Sequence, residues 1–145
     1  MTRKLALLTV LITATSGFAW AQGFDVIETR QAGQDLIAAD FAGIRAVVAA
    51  KGDVKTLEDP AKAIARWAKQ FYTLFPPGSD KGHNTKALPA IWTNMAGFQK
   101  DADDLANAAT KLAELARAGD ASAMPDQIKA IGATCGACHR EFRAR

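Results

Sequence analysis

Hydrophobic residues recur at steps of three and four in four separate stretches of this chain, each framed by helix start and stop signals. The first covers residues 25–50. Asp25 can cap it, with Glu28 three residues on, and Lys51-Gly52-Asp53 closes it. Its apolar face is Ile27, Ile37, Phe41, Ile44 and Val48. Seven-residue steps through 27, 34, 41 and 48, and through 30, 37 and 44, give a seam that also places Arg30 and Gln34 on the buried side. Both need partners there, because an unpaired buried polar group is costly.

The second stretch is expected to start with Asp59 as cap and Pro60 in first position. Ile64, Trp67, Phe71, Leu74 and Phe75 form its inner stripe, and Pro76-Pro77-Gly78 stops it. A polar segment, 79–86, follows, in which His83 reads as a solvated loop histidine. The third stretch is the longest, one helix predicted over 88–118. Pro89 lies in its first turn, Gly119 follows its end, and its stripe runs through Ile91, Trp92, Met95, Phe98, Ala102, Leu105, Ala109 and Leu112. Met95 reads as core packing, Trp92 as a candidate for both core and cofactor contact, and Asp101, Asp103 and Asp104 as carboxylates on a solvated face. The fourth stretch, about 125–143, has the stripe Ile128, Ile131, Cys135, Cys138 and Phe142. No sustained apolar alternation with hairpin turns competes. Four amphipathic segments joined mostly by short links predict an all-α, antiparallel up-down-up-down four-helix bundle.

Residues 1–21 fall outside this pattern. Arg3 and Lys4, the apolar run 5–12 and Ala19-Trp20-Ala21 together read as a cleaved signal peptide, with the mature domain at 22–145 and the periplasm as destination. The apolar run is too short to span a bilayer, and no later segment is long and apolar enough. The 18 Lys and Arg against 15 Asp and Glu give the whole chain a net charge of +3. Removal of Arg3 and Lys4 lowers this to +1, so nothing points to nucleic acid.

The chemistry is concentrated in Cys135-Gly136-Ala137-Cys138-His139. C-x-x-C-H is the attachment signature of c-type haem: two thiols one turn apart bond the porphyrin vinyl groups, and the following histidine can coordinate iron. Two exported cysteines could instead form a disulfide, and a C-x-x-C pair could be a redox dithiol. The dithiol reading expects a strand–helix context. Here the pair lies on the core face of a C-terminal helix, followed directly by His139, which favours one covalent haem c. No general acid or base is evident nearby, so the residues give no support for an enzyme.

With these residues in place, the chain resembles the class II c-type cytochromes, the cytochrome c′ family. The likeness covers essentially all of the mature region. It is carried by Val26-Ile27, Arg30-Gln31-Ala32, Leu74-Phe75-Pro76, Pro89-Ala90-Ile91-Trp92, Gly132-Ala133-Thr134 before the haem motif, and Phe142-Arg143. Cytochrome c′ is itself one of the type examples of the up-down-up-down bundle. The resemblance implies thioethers at Cys135 and Cys138, and His139 as proximal iron ligand. It places Arg30 and Gln31 by the haem propionates, Thr85-Lys86 near one of them, and Arg143 on the proximal side.

Gln34 is the informative departure. In the family, a methionine at this distal position gives a six-coordinate, low-spin electron carrier, and a bulky apolar residue gives a five-coordinate haem that binds small gases. The only methionines after processing, Met95 and Met124, match no ligand position. A neutral amide is a weak iron ligand, so the expectation is a five-coordinate, high-spin iron open to nitric oxide or carbon monoxide and capable of electron transfer. The alternative is a six-coordinate carrier shuttling electrons between periplasmic redox proteins. The resemblance also implies a homodimer packed through the first two helices, with which Ala39, Ala42 and Ala46 are compatible.

Overall fold

The computed structural model describes residues 25–145; the leader expected at 1–21 and the start at Gln22 lie outside the described residues. Four long helices, α1 (Val26–Ala49), α2 (Glu58–Phe71), α4 (Met95–Ala118) and α5 (Met124–Phe142), make the antiparallel bundle that the apolar pattern predicts, with a four-residue helix α3 (Ala90–Thr93) before α4. Among the described residues there is no strand, only one isolated bridge between Ala87 and Arg143.

Most boundaries follow from local chemistry. The Asp25 carboxylate accepts from the backbone N–H groups of Ile27 (2.8 Å) and Glu28 (3.1 Å), satisfying donors that an α-helix leaves free in its first turn. Gly119 takes a left-handed φ of 74° and ends α4, its N–H donating to the Ala116 carbonyl at 2.9 Å.

Two boundaries differ from expectation. Asp59 does not cap α2. A 3₁₀ turn over Val54–Leu57, capped by Asp53, buries Val54 and Leu57 and runs straight into α2 at Glu58. Pro60 still fits because the N–H it lacks falls in the first turn, where it would have no helical partner.

The helix predicted over 88–118 is broken at Asn94, whose backbone leaves helical geometry (φ −133°, ψ 55°). Its side-chain oxygen accepts from Gly97 N–H at 3.1 Å, and its amide nitrogen donates to Glu141 at 2.9 Å. Asparagine competes with the helix by bonding its own backbone, and the apolar stripe continues unbroken across the kink. A Cβ at residue 97 would stand 2.5 Å from the Asn94 amide nitrogen, so glycine keeps this cap open.

The core has two parts. The larger joins Ile44, Leu57, Ile64, Leu112, Met124 and Ile131 around buried alanines 61, 65, 109, 113 and 116, which let α2 and α4 approach closely along their length. The smaller is aromatic: Phe75, Ile91, Phe98 and Phe142, with Phe71 and Trp92 against them. Phe98 lies 4.8 Å from Phe75 and 5.1 Å from Phe142, ring centre to ring centre, both edge to face. Trp92 belongs to this packing: its Nε1 donates to the Phe75 and Pro76 carbonyls at 3.1 and 3.2 Å, tying α3 to the segment that follows α2. Met95 also packs on this cluster, as core.

Candidate functional site: a cavity between α1 and α5

Neighbouring helices pack closely around most of the bundle, but α1 and α5 touch only sparsely. Between them lies a cavity of ≈ 850 Å³, within the range that encloses sizeable organic ligands. Ile37, Phe41, Ile64, Trp67, Phe71, Phe98 and Ile131 give it apolar walls. The expected site residues Arg30, Gln31, Gln34, Thr85, Cys135, Cys138, His139 and Arg143 line this one cavity, whereas Trp92, a candidate for cofactor contact, is not among its lining residues.

The α5 wall carries the reactive groups. Cys135 and Cys138 are half-buried free thiols one turn apart. Burial pushes the Cys135 thiol up, and burial plus the neighbouring charges of Asp101, Cys135 and Glu141 pushes Cys138 up to about 12. A redox dithiol needs an accessible thiolate of lowered pKa, and these two thiols are shifted the other way. Burial, with the Arg143 guanidinium adding to it, lowers the His139 imidazole, so its nitrogen lone pair is free at neutral pH. Arg143 is held by an exchange between the chain after α5 and the segment before α3: Leu88 N–H donates to Phe142 O (3.0 Å), and Ala144 N–H to Lys86 O (2.8 Å).

The opposite wall is α1. Arg30 is only 3% exposed. Its guanidinium donates to Leu74 O, Ser79 Oγ, Ser79 O and Thr85 Oγ1 at 2.7–3.2 Å and lies 4.2 Å from the Phe75 ring centre. The partners that a buried arginine requires are therefore present in the chain itself, and Arg30 pins the 79–85 segment across the cavity rim. Gln31 extends the clamp by donating to His83 O at 3.0 Å. His83 is exposed, as read from the sequence, but it is not a free loop residue: its ring lies 2.8 Å from Asp25 and 3.4 Å from Glu28. Gln34, one turn beyond Arg30, is half-buried in the wall and makes no side-chain hydrogen bond among the described residues.

Two lining residues were missed as site residues. Trp67 reads in the sequence as one more apolar stripe position. Its ring packs against α1 at Gly33, where a Cβ would come within 1.9 Å of it. Its buried Nε1 meets no acceptor among the described residues. Asp101, expected on a solvated face with Asp103 and Asp104, turns into the cavity wall instead, while Asp103 is exposed and Asp104 pairs with Lys100 at 2.6 Å. Helical spacing alone signals the split, since Asp101 is three residues after Phe98.

A flat, largely apolar group with acidic substituents fits this cavity on chemical grounds. The walls are apolar, two protonated thiols and a neutral imidazole stand on one side, and Lys86 and Arg143 offer donors to anionic groups.

Comparison with known proteins agrees with that chemistry. A model of the family described as Cytochrome C' matches residues 25–143. Cytochrome c' of Rubrivivax gelatinosus is 35% identical over 123 residues, covering 83% of this chain and 95% of the relative. The crystal structure of cytochrome c' from Thermochromatium tepidum superposes with a TM-score of 0.77 at 34% identity, over 83% of this chain and 95% of that one. A nitric oxide complex of a cytochrome c prime mutant from Alcaligenes xylosoxidans gives 0.74 at 26% identity, over 83% and 94%.

Proposed function

This chain belongs to the cytochrome c′ family, whose members carry one covalently attached haem c, and we propose that it is a periplasmic gas-binding cytochrome with an iron left open on the α1 side. Cys135 and Cys138 would hold the haem through thioethers, and His139 would supply the axial nitrogen. Arg30, Gln31 and Thr85 would lie on the propionate side and Arg143 on the proximal face, with Arg30 held by its own acceptors. The haem, when bound, supplies a reversible one-electron change and a coordination position for a small gas.

One observation carries the reading. Among the described residues, His139 is the only imidazole lining the cavity, the lining contains no methionine, and α1 presents Gln34 opposite α5. Met95 and Met124 are packed in the two cores, away from the lining. An amide competes poorly for iron, but its N–H can donate to a polar diatomic such as nitric oxide. The nitric oxide complex of the Alcaligenes relative supports this class of ligand for the site.

Replacement of Gln34 by Met tests the placement. A thioether at this position should convert the reduced protein to a low-spin spectrum with sharp α and β bands. An unchanged spectrum would mean that residue 34 does not face the iron. The Arg3-Lys4 pair, the apolar run and Ala19-Trp20-Ala21 support export. No helix among the described residues is long and apolar enough to cross a membrane. The outer face of α1, with Leu36 68% exposed beside Ala39, supports a homodimer; Leu36→Glu should shift sedimentation to that of a monomer.

A further inference from the structure

Asp101 has no role in the proposed binding of haem, and yet it is the carboxylate on α4 that lines the cavity beside a haem-attaching cysteine. Its position follows from the helix register. α4 and α5 run antiparallel with Phe98 seated against Phe142. One turn further along α4 is Asp101, and one turn earlier on α5 is Cys138. Leu105 and Cys135, a further turn on, both pack on the larger core cluster and both line the cavity.

The carboxylate is half-buried, and it has no ion pair or hydrogen bond among the described residues. Lys100, its sequence neighbour, turns to Asp104 instead. Its field reaches Cys138, where it adds to burial in holding the thiol protonated. The other carboxylate in the lining, Asp35, is across the cavity on α1, and the cations Arg30, Arg45, Lys86 and Arg143 also line it.

We propose that Asp101 sets the reduction potential of the haem tied to Cys138, its fixed negative charge favouring the ferric over the ferrous state. Ferric haem carries one more positive charge than ferrous haem. A nearby carboxylate in a half-buried wall therefore stabilises the oxidised form selectively, and more strongly than the same charge in bulk water. The electron comes from or goes to a redox partner or mediator, with no bond made or broken at Asp101. The proposal rests on the haem reading of the cavity but not on the coordination number of the iron.

The test is spectroelectrochemical titration of the holoprotein with mediator dyes, for wild type, Asp101→Asn, Asp101→Glu and Asp103→Asn. The expected result is a positive shift of the midpoint potential in D101N, with D101E and the exposed control D103N close to wild type. Should D101N fail to load haem, Asp101→Ser provides the neutral variant. A neutral variant whose potential moves no more than that of D103N overturns the proposal, as does D101E shifting as far as D101N. Carbon monoxide spectra of the same samples read the open-iron proposal separately, so either idea can fail alone.

Discussion

The two halves of the bundle are built on opposite principles. In the closed half, alanines 61, 65, 109, 113 and 116 bring α2 and α4 together, and Leu112 and Met124 fill the space between helices almost without exposure. In the open half, α1 stands away from α5, and large side chains (Phe41, Trp67, Phe71, Phe98) face a cavity of ≈ 850 Å³. Small residues close a helix pair; large ones here line a space that a cofactor fills. Stability should thus reside in the closed half whether or not haem is attached, whereas the open half should depend on haem for its packing.

Leu112→Ala is the most disruptive change expected. Its side chain is fully buried, and a leucine-to-alanine cavity costs about 3 kcal/mol. Chemical denaturation should show a similar loss in apo and holo forms. Phe41→Ala should separate the two forms: a small loss in the apoprotein, and a larger one once haem is attached. Equal losses at both positions in both forms would break the comparison.

The α1 wall gives the next effects. Arg30→Met leaves the Ser79 carbonyl without the buried guanidinium that it accepts from, at a cost on the order of 2 kcal/mol. Limited proteolysis should then cut within 78–86 faster than in wild type. Gly33→Ala forces the Trp67 ring off α1, with an overpacking penalty of about 1–3 kcal/mol and a shift in Trp fluorescence.

The smallest effect in energy is chemically informative. With its thiol pushed up to about 12, Cys138 of the apoprotein should react with iodoacetamide at neutral pH markedly more slowly than an ordinary thiol. Since a raised thiol pKa withholds the thiolate, the rate should climb as pH rises toward that value. A fast reaction at neutral pH would reopen the redox-dithiol reading.

Much of this was legible along the chain, because spacing carries it. The stripe through Cys135, Cys138 and Phe142 put the haem motif on an inward face, and the step from Arg30 to Gln34 put both on one wall. What escaped depends on contacts between distant segments. Asn94 looks like an ordinary helix position until its side chain is seen capping Gly97 and bonding Glu141, forty-seven residues away. Arg30 looked like a residue waiting for a cofactor; its nearest acceptors come from the 79–85 segment, which no periodicity could have folded back across it. Along the sequence Asp101 looks like its solvated neighbours Asp103 and Asp104, whereas its side chain follows Phe98 around the helix.

The central claim is that the iron carries His139 on the α5 side and no protein ligand on the α1 side. The visible spectrum of the dithionite-reduced holoprotein, before and after carbon monoxide, tests it most directly. The account predicts a broad high-spin Soret band that sharpens and shifts with the gas. Sharp α and β bands that carbon monoxide leaves unchanged would contradict it and point instead to a six-coordinate electron carrier.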